Sequence, residues 1–261
     1  MKRSASVETI SDIQARIAHA SQSELEALRI LYASDSRKGV KHAFDVRKRQ
    51  ILREQEEQAR LRALYDFDIR AGAHSCVLGM DEVGRGPLAG PMYVGGVVLN
   101  LNAPPIAELN DSKQIAPDKR ERIAACIQQQ ALAFHIESVD AHDIDTYGMA
   151  YCLRSAFSSV IAYFDAHHVP VECILLDGVP LHLDKRERAV VKGDTKSASI
   201  AAASIIAKVA RDNYMVEQHK LYPVYGFDAH KGYGSQQHIN AIKTHGICPL
   251  HRVSFCKNFL S

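Results

Sequence analysis

A chain of 261 residues, 46% of them hydrophobic, has room for one large domain or a domain with an appendage, and it needs no cross-links to build a core. A formal net charge of +2 excludes any argument for nucleic acid from overall charge, and no apolar run approaches the ~20 residues of a membrane span. Six cysteines without a CxxC pair, and an N-terminus M-K-R-S-A-S-V-E-T that lacks the apolar centre of a signal peptide, lead us to expect reduced thiols in a cytoplasmic protein with no membrane association.

Residues 1–73 contain Gly39 as the one glycine before Gly72, no proline, and many Ala, Leu, Glu, Gln, Arg and Lys, mostly strong helix formers. Ser23 with Glu26 reads as a capping box opening a helix over Glu24–Ala33, Ser21 with Glu24 fits the same box, and Phe44–Tyr65 is helical in pattern. Residues 37–70 carry ten Lys or Arg against six acids, a stripe that suits phosphates or simply a solvated helix surface. The composition turns apolar at Ala71-Gly72-Ala73, so we expect a helical extension over 1–73 and a second domain over 74–261.

Beyond that point strand-like runs (Cys76–Met80, Met92–Leu99, Ala131–Val139, Cys173–Leu176, Ala189–Val191) alternate with helix-like runs (Asp118–Gln130, Met149–His167, Ser197–Gln218). This pattern predicts an α/β domain.

The richest stretch is Gly79–Pro91, G-M-D-E-V-G-R-G-P-L-A-G-P, where an apolar strand delivers Asp81 and Glu82 to a glycine-rich loop and a second strand follows at once. Glycines let backbone approach a ligand closely, and successive N–H groups form an anion- or hydroxyl-binding nest. Asp177 follows E-C-I-L-L, and Asp194 follows the short run A-V-V-K-G. Acids at strand ends can gather at one sheet rim, where hard divalent cations take carboxylate oxygens, and two-metal phosphoryl-transfer sites hold their ions roughly 3.5–4 Å apart. Each Asp taken singly is more often a turn residue. Neighbours on a regular strand also face opposite sides, so Asp81 and Glu82 are expected to share a site through a twist or bulge.

Gly84, Gly86 and Gly90 have the wrong spacing for a dinucleotide loop, and G-D-T-K-S at Gly193–Ser197 lacks the spacing of a phosphate loop. His245, Cys248, His251 and Cys256 have spacings that zinc could use, but a packed loop around Pro249 explains them equally well.

Together G-M-D-E-V-G-R-G-P-L-A-G-P, N-D-S-K at Asn110–Lys113, K-G-D-T-K-S with S-I-A-A-A-S-I-I-A-K-V-A-R-D, H-K-G-Y at His230–Tyr233 and P-L-H-R-V-S-F resemble the bacterial ribonuclease HII family from about Leu78 to Phe255. The resemblance implies an RNase H-like fold, a mixed central sheet flanked by helices, with a helical N-terminal extension. It implies an endonuclease that cuts RNA paired with DNA, and single ribonucleotides in duplex DNA, leaving 5′-phosphate and 3′-hydroxyl ends and acting as a monomer. Asp81, Glu82, Asp177 and Asp194 match the family's four metal-binding carboxylates, for Mn²⁺ or Mg²⁺, one ion activating the attacking water and the other stabilising the leaving oxygen. Gly84-Arg85-Gly86 matches the segment that reads the ribonucleotide 2′-hydroxyl, and Tyr233 the tyrosine that stacks on the following deoxyribose. Lys113, Lys196, Ser197, Lys208, Arg211, Lys231 and Arg252 are candidates for phosphate contact or for plain solvated surface, with Lys196, Ser197 and Lys231 favoured because they adjoin the key motifs. Gly148 stands where the family usually has an asparagine. The sister family, ribonuclease HIII, usually has a sheet-based N-terminal part, which the helical pattern here disfavours.

Overall fold

The computed structural model describes residues 8–72 and 76–260. Two compact units divide within one helix, the first ending at Arg60 and the second beginning at Leu61, whereas the boundary expected between 73 and 74 falls outside the described residues.

The first unit holds α1 (Ile10–Ala18), α2 (Gln22–Leu31) and the opening part of α3 (Lys38–Ala71). Thr9 with Asp12 and Ser21 with Glu24 form the capping boxes of α1 and α2, so the earlier of the two boxes considered for α2 is the one used. The sequence reading overlooked α1, whose box closes with Asp rather than the usual Glu or Gln. Ile13, Ile17, Leu25, Val40 and Ile51 make the unit's small core.

In the second unit β1 (Cys76–Val83), β2 (Met92–Leu99), β3 (Ala131–Val139), β4 (Val171–Asp177) and β5 (Glu187–Val190) form one sheet in the order β3-β2-β1-β4-β5. The first three strands are antiparallel, β1 and β2 as the expected hairpin, while β4 and β5 run parallel to β1. The α/β expectation therefore resolves into a mixed sheet. The helices are α4 (Pro117–Gln130), α5 (Ala141–Tyr147), α6 (Met149–Ala166), α7 (Ala198–Leu221) and the shorter α8 (Phe227–His230), α9 (Gln236–His245) and α10 (Val253–Cys256). No helix among the described residues is long and apolar enough to cross a membrane.

Strand alternation sorts the core onto two faces. Leu78, Met80, Val94 and Val98 pack on Phe157, Val160 and Phe164 of α6, while Val77 meets Ile200 of α7 and Val97 joins the cluster of α7 alanines with Ile123 and Ile127 of α4. α7 is buried throughout from Ala198 to Ala207, with small Ala and Ser side chains at all but the three Ile positions, and its backbone nearly touches the sheet. A Cβ on Gly79 would lie 2.1 Å from the Ser199 carbonyl carbon, and one on Gly95 would lie 2.5 Å from the Ala203 oxygen.

The end of α3 also belongs to this unit. Tyr65 accepts a hydrogen bond from the Ile106 amide, and Asp68, fully buried, accepts one from the Ser199 amide at 2.7 Å at the start of α7.

Because Gly79 meets backbone rather than a movable side chain, Gly79→Ala should destabilise the protein by about 3 kcal/mol and lower its thermal midpoint by roughly 10 °C. Gly86→Ala, whose Cβ meets nothing within 4 Å, should leave the midpoint unchanged. Equal midpoints for the two variants in a thermal melt would contradict this packing.

Candidate active site

The sheet register explains how distant acids meet. The last pair between the parallel strands β1 and β4 is Met80↔Leu176, and Asp81 and Asp177 are the next residues on each strand. Asp194 arrives after β5 in a 3₁₀ turn, Gly193–Thr195, whose Gly193 amide donates to Asp177 Oδ1 at 2.6 Å. No bulge turns Glu82 onto the face of Asp81, since pairing with β2 stays regular through Asp81↔Gly95, Glu82↔Val94 and Val83↔Tyr93. The expected bulge is therefore absent, and the charge of Asp177 nevertheless acts on the Glu82 carboxyl.

Asp81 is 6% exposed, and burial, then the charge of Glu82, the Ser204 hydroxyl opposing, then the charge of Asp177, push its carboxyl up to about 8. Burial also raises Glu82 and Asp194, again with Asp177 contributing repulsion. Ser204 is held in turn by Ser112 at 3.0 Å, and Lys113 Nζ lies 3.8 Å from Asp194 Oδ2, so the N-D-S-K segment borders the acids. Among the described residues no three carboxyl, imidazole or thiol groups are oriented as a closed ligand set for an ion. The electrostatics nevertheless fit one: hard oxygen donors, half-buried and mutually repelling, lack the positive charge that a divalent cation would supply.

Beside the acids, the Gly84–Pro91 loop is gripped from below by two arginines with no exposed surface. Arg252 donates to the carbonyls of Gly84 (2.6 Å), Arg85 (2.9 Å) and Gly90 (2.8 and 3.1 Å). Arg211 donates to Pro91 (2.9 Å), Ala89 (3.3 Å) and Lys231 (3.0 Å). Burial lowers the pKa of both, Arg252 to about 10, which leaves it charged at neutral pH. The loop is further sewn to Gly232 through the Leu88 and Ala89 amides, and to Leu250 through the Gly90 amide. Gly84 has φ +89°, and a Cβ there would lie 2.2 Å from Arg211 Nε, so the position requires glycine on both counts.

The remaining expectations divide. Arg85 and Gly86 are exposed at the loop tip, with Arg85 Nη1 3.2 Å from Glu82 Oε1. Tyr233 is 42% exposed, with Arg211 and Lys208 against its ring at 5.6 and 6.0 Å. Lys196 is exposed beside Asp194, and Lys231 is half-buried with its ammonium donating to the Asp228 carbonyl. Ser197 is corrected: it is fully buried, its hydroxyl accepts from the Ile200 amide as the N-cap of α7 and bonds to Asp68, and it has no surface to offer a phosphate. Arg211 and Arg252 are likewise neither phosphate contacts nor solvated, because their guanidinium groups are consumed inside. Asp145, Asp68 and His238 went unnoticed. Asp145 accepts from the Val253 and Ser254 amides and so anchors the turn that carries Arg252, a role with no local sequence signal. Of the four residues with zinc-like spacing, His245 is exposed on α9 and Cys256 Sγ donates to the Leu88 carbonyl, so only Cys248 and His251 meet.

Comparison with known proteins agrees with this geometry. A family model described as Ribonuclease HII matches residues 78–258, and one described as Ribonuclease HII N-terminal domain matches residues 9–71. A Ribonuclease HII of Clostridium acetobutylicum is 43% identical over 231 residues, covering 87% of this chain and 89% of its own. Among solved structures, the RNase HII in a PCNA complex from Archaeoglobus fulgidus shares the fold with TM-score 0.59 at 22% identity, over 71% of this chain and 97% of that one. Bst-RNase HIII in complex with Mn²⁺ does so with TM-score 0.57 at 19% identity, over 74% and 72%. With family models covering both units and that identity spread over most of both sequences, the chain belongs to the ribonuclease HII family and is a ribonuclease H enzyme.

Proposed function

We propose that this ribonuclease H cuts both RNA/DNA hybrids and single ribonucleotides embedded in duplex DNA, opening the route by which ribonucleotides are removed from DNA. Asp81, Glu82, Asp177 and Asp194 are the groups that hold its cations. The observation that carries this reading is the adjacency of acids and loop, joined by the Arg85–Glu82 ion pair at 3.2 Å. Whatever sugar the loop reads has its phosphate beside the carboxylates.

The loop's chemistry follows from its carbonyls. In a planar trans peptide the C=O and the N–H point in opposite directions. The Gly84 and Arg85 carbonyls are turned inward to Arg252, so the amides of Arg85 and Gly86 point away from it, toward the exposed tip. Two parallel donors over a glycine whose missing Cβ leaves open space suit a 2′-hydroxyl, the group that separates RNA from DNA. Tyr233 supplies an exposed ring for the neighbouring deoxyribose, and exposed Lys196 a charge for phosphate.

Mg²⁺ or Mn²⁺ held by Asp81, Glu82, Asp177 and Asp194 would supply an acidified water and counter-charge for the leaving 3′-oxygen, the chemistry that leaves a 5′-phosphate and a 3′-hydroxyl. The carboxylates bind and orient, Ser204 and the Gly193 amide fix Asp81 and Asp177, and Lys113 balances Asp194. One chain provides all four acids, so a monomer suffices for this chemistry. The helical N-terminal part, with Lys41, Lys48, Arg49 and Arg53 exposed, adds affinity for the nucleic-acid backbone.

Asp81→Asn should slow cleavage in Mg²⁺ by about 10³-fold, equivalent to about 4 kcal/mol of barrier, with hybrid binding by fluorescence anisotropy little changed. A wild-type rate would remove the carboxylates from the chemistry. A duplex with one ribonucleotide should be cut as readily as one with a run of four. Strong preference for the run, in the same gel assay, would point to recognition of the ribonuclease HIII kind.

A further inference from the structure

Beneath Tyr233 lies a group of histidines that the chemistry above does not use. The Cys248 amide donates to His251 Nδ1 at 3.0 Å, His251 Nε2 and His238 Nε2 are 3.0 Å apart, and His238 Nδ1 lies 2.9 Å from the Tyr233 carbonyl. Both ends are main chain, one able only to donate and the other only to accept, so the direction of the chain is set. His238 carries its proton on Nδ1 and gives it to Tyr233. Its Nε2 must then accept, so His251 carries its proton on Nε2 and accepts at Nδ1. A second proton on His238 would set two N–H groups against each other between the rings. On His251 it would oppose the Cys248 amide, with the Cys248 carbonyl at 3.3 Å as a longer alternative.

His230 makes the same kind of clamp on the same loop, accepting from the Gly232 amide at 3.2 Å and donating to the Tyr225 carbonyl at 2.6 Å, with its ring stacked on His238 at 4.5 Å. These bonds meet where the backbone is least regular: Lys231 has φ 53°, Gly232 has φ +84°, and a Cβ on Gly232 would lie 2.2 Å from the Ala89 oxygen. The Ser235 amide also donates to the Tyr233 carbonyl, at 2.8 Å, so the peptide plane that follows the tyrosine is held from two sides.

We propose that His238 and His251 are positioning residues for Tyr233, aiming its ring at the substrate sugar through a one-way hydrogen-bond chain that only neutral imidazoles can form. The inference rests on the reading that Tyr233 stacks on the deoxyribose after the ribonucleotide. The groups facing the pair are His230, Tyr225, Phe227 and Cys248, whose Sγ is 3.2 Å from His251 Nδ1, with Arg252 adjacent in the chain. None is a carboxylate that would favour an imidazolium. Burial, as the leading cause, holds both imidazoles down to about 4.

The test uses the full chain and two substrates, a duplex with one ribonucleotide and a uniform RNA/DNA hybrid, which presents no deoxyribose after the cut. His238→Leu removes the donor to Tyr233, whereas His238→Asn keeps an N–H near the place of Nδ1. His238→Leu should lower kcat/KM on the single ribonucleotide roughly tenfold, the scale of one lost hydrogen bond, and lower it much less on the hybrid. His238→Asn should recover most of the loss. Equal losses on both substrates, or no rescue by Asn, would reduce the histidine to a packing role and overturn the proposal. Tyr233→Ala separates the two claims: if it leaves the single-ribonucleotide rate unchanged, the stacking reading fails, and if only that variant is impaired, the positioning role fails alone. Long-range ¹H–¹⁵N spectra of the wild type at pH 6 should show His238 as the neutral Nδ1–H tautomer and His251 as the neutral Nε2–H tautomer. An imidazolium at either would also overturn the chain.

Discussion

Arg211 and Arg252 carry charge into the interior with no ion pair to a carboxylate among the described residues, and six main-chain carbonyls do the work instead: Gly84, Arg85, Ala89, Gly90, Pro91 and Lys231. A buried guanidinium is costly unless its donors are satisfied. The converse also holds, because each of those carbonyls would be stranded without the arginine, at about 1–3 kcal/mol apiece. The loop is therefore fixed by mutual necessity rather than by packing of its own small side chains. Its carbonyls are drawn in to the arginines, which holds a glycine-rich segment in one conformation.

The acids illustrate the opposite economy. A sheet that ends β1 and β4 in register brings Asp81 and Asp177 side by side, and the turn after β5 adds Asp194. Like charges in a half-buried place destabilise the fold, and a carboxyl pushed up to about 8 is protonated at neutral pH. Local donors, the Gly193 amide and Ser204 among them, soften the repulsion together with the charges of Arg85 and Lys113. The cluster is left short of positive charge by construction, an electrostatic setting that a hard cation would suit. Lys113, an exposed side chain at the rim with its ammonium 3.8 Å from Asp194 Oδ2, offsets part of the repulsion there.

Periodicity and turn chemistry made much of this legible before any coordinates. Five strands, three of the longer helices and the acids at the strand ends follow from patterns of two and 3.6 residues, and the loop from its glycines. What was hidden depends on long-range pairing. Nothing local distinguishes Arg252, whose partners lie more than 160 residues away, from a solvated arginine. Ser197 stands beside Lys196 in a motif, but whether a serine caps a helix or meets a ligand is decided by what covers it, here Asp68 from 131 residues earlier than its other partner Ser199.

The Gly84–Pro91 loop and the Lys231–Tyr233 turn are stabilised by different electrostatic means, and the difference has a physical logic. The Gly84–Pro91 loop is rich in carbonyls and takes cations. The Lys231–Tyr233 turn already lies against Arg211, which donates to the Lys231 carbonyl and faces the Tyr233 ring. A further positive charge beneath that turn would be repelled by Arg211 and Arg252 and would sit among the rings of Tyr225 and Phe227, where its hydration is lost. Neutral imidazoles can still supply donors at defined positions without adding charge, and three of them do so here. Because Arg211 donates to carbonyls of both segments, the loop and the turn cannot move independently, so under the proposed roles discrimination of the sugar would be a property of the joined pair.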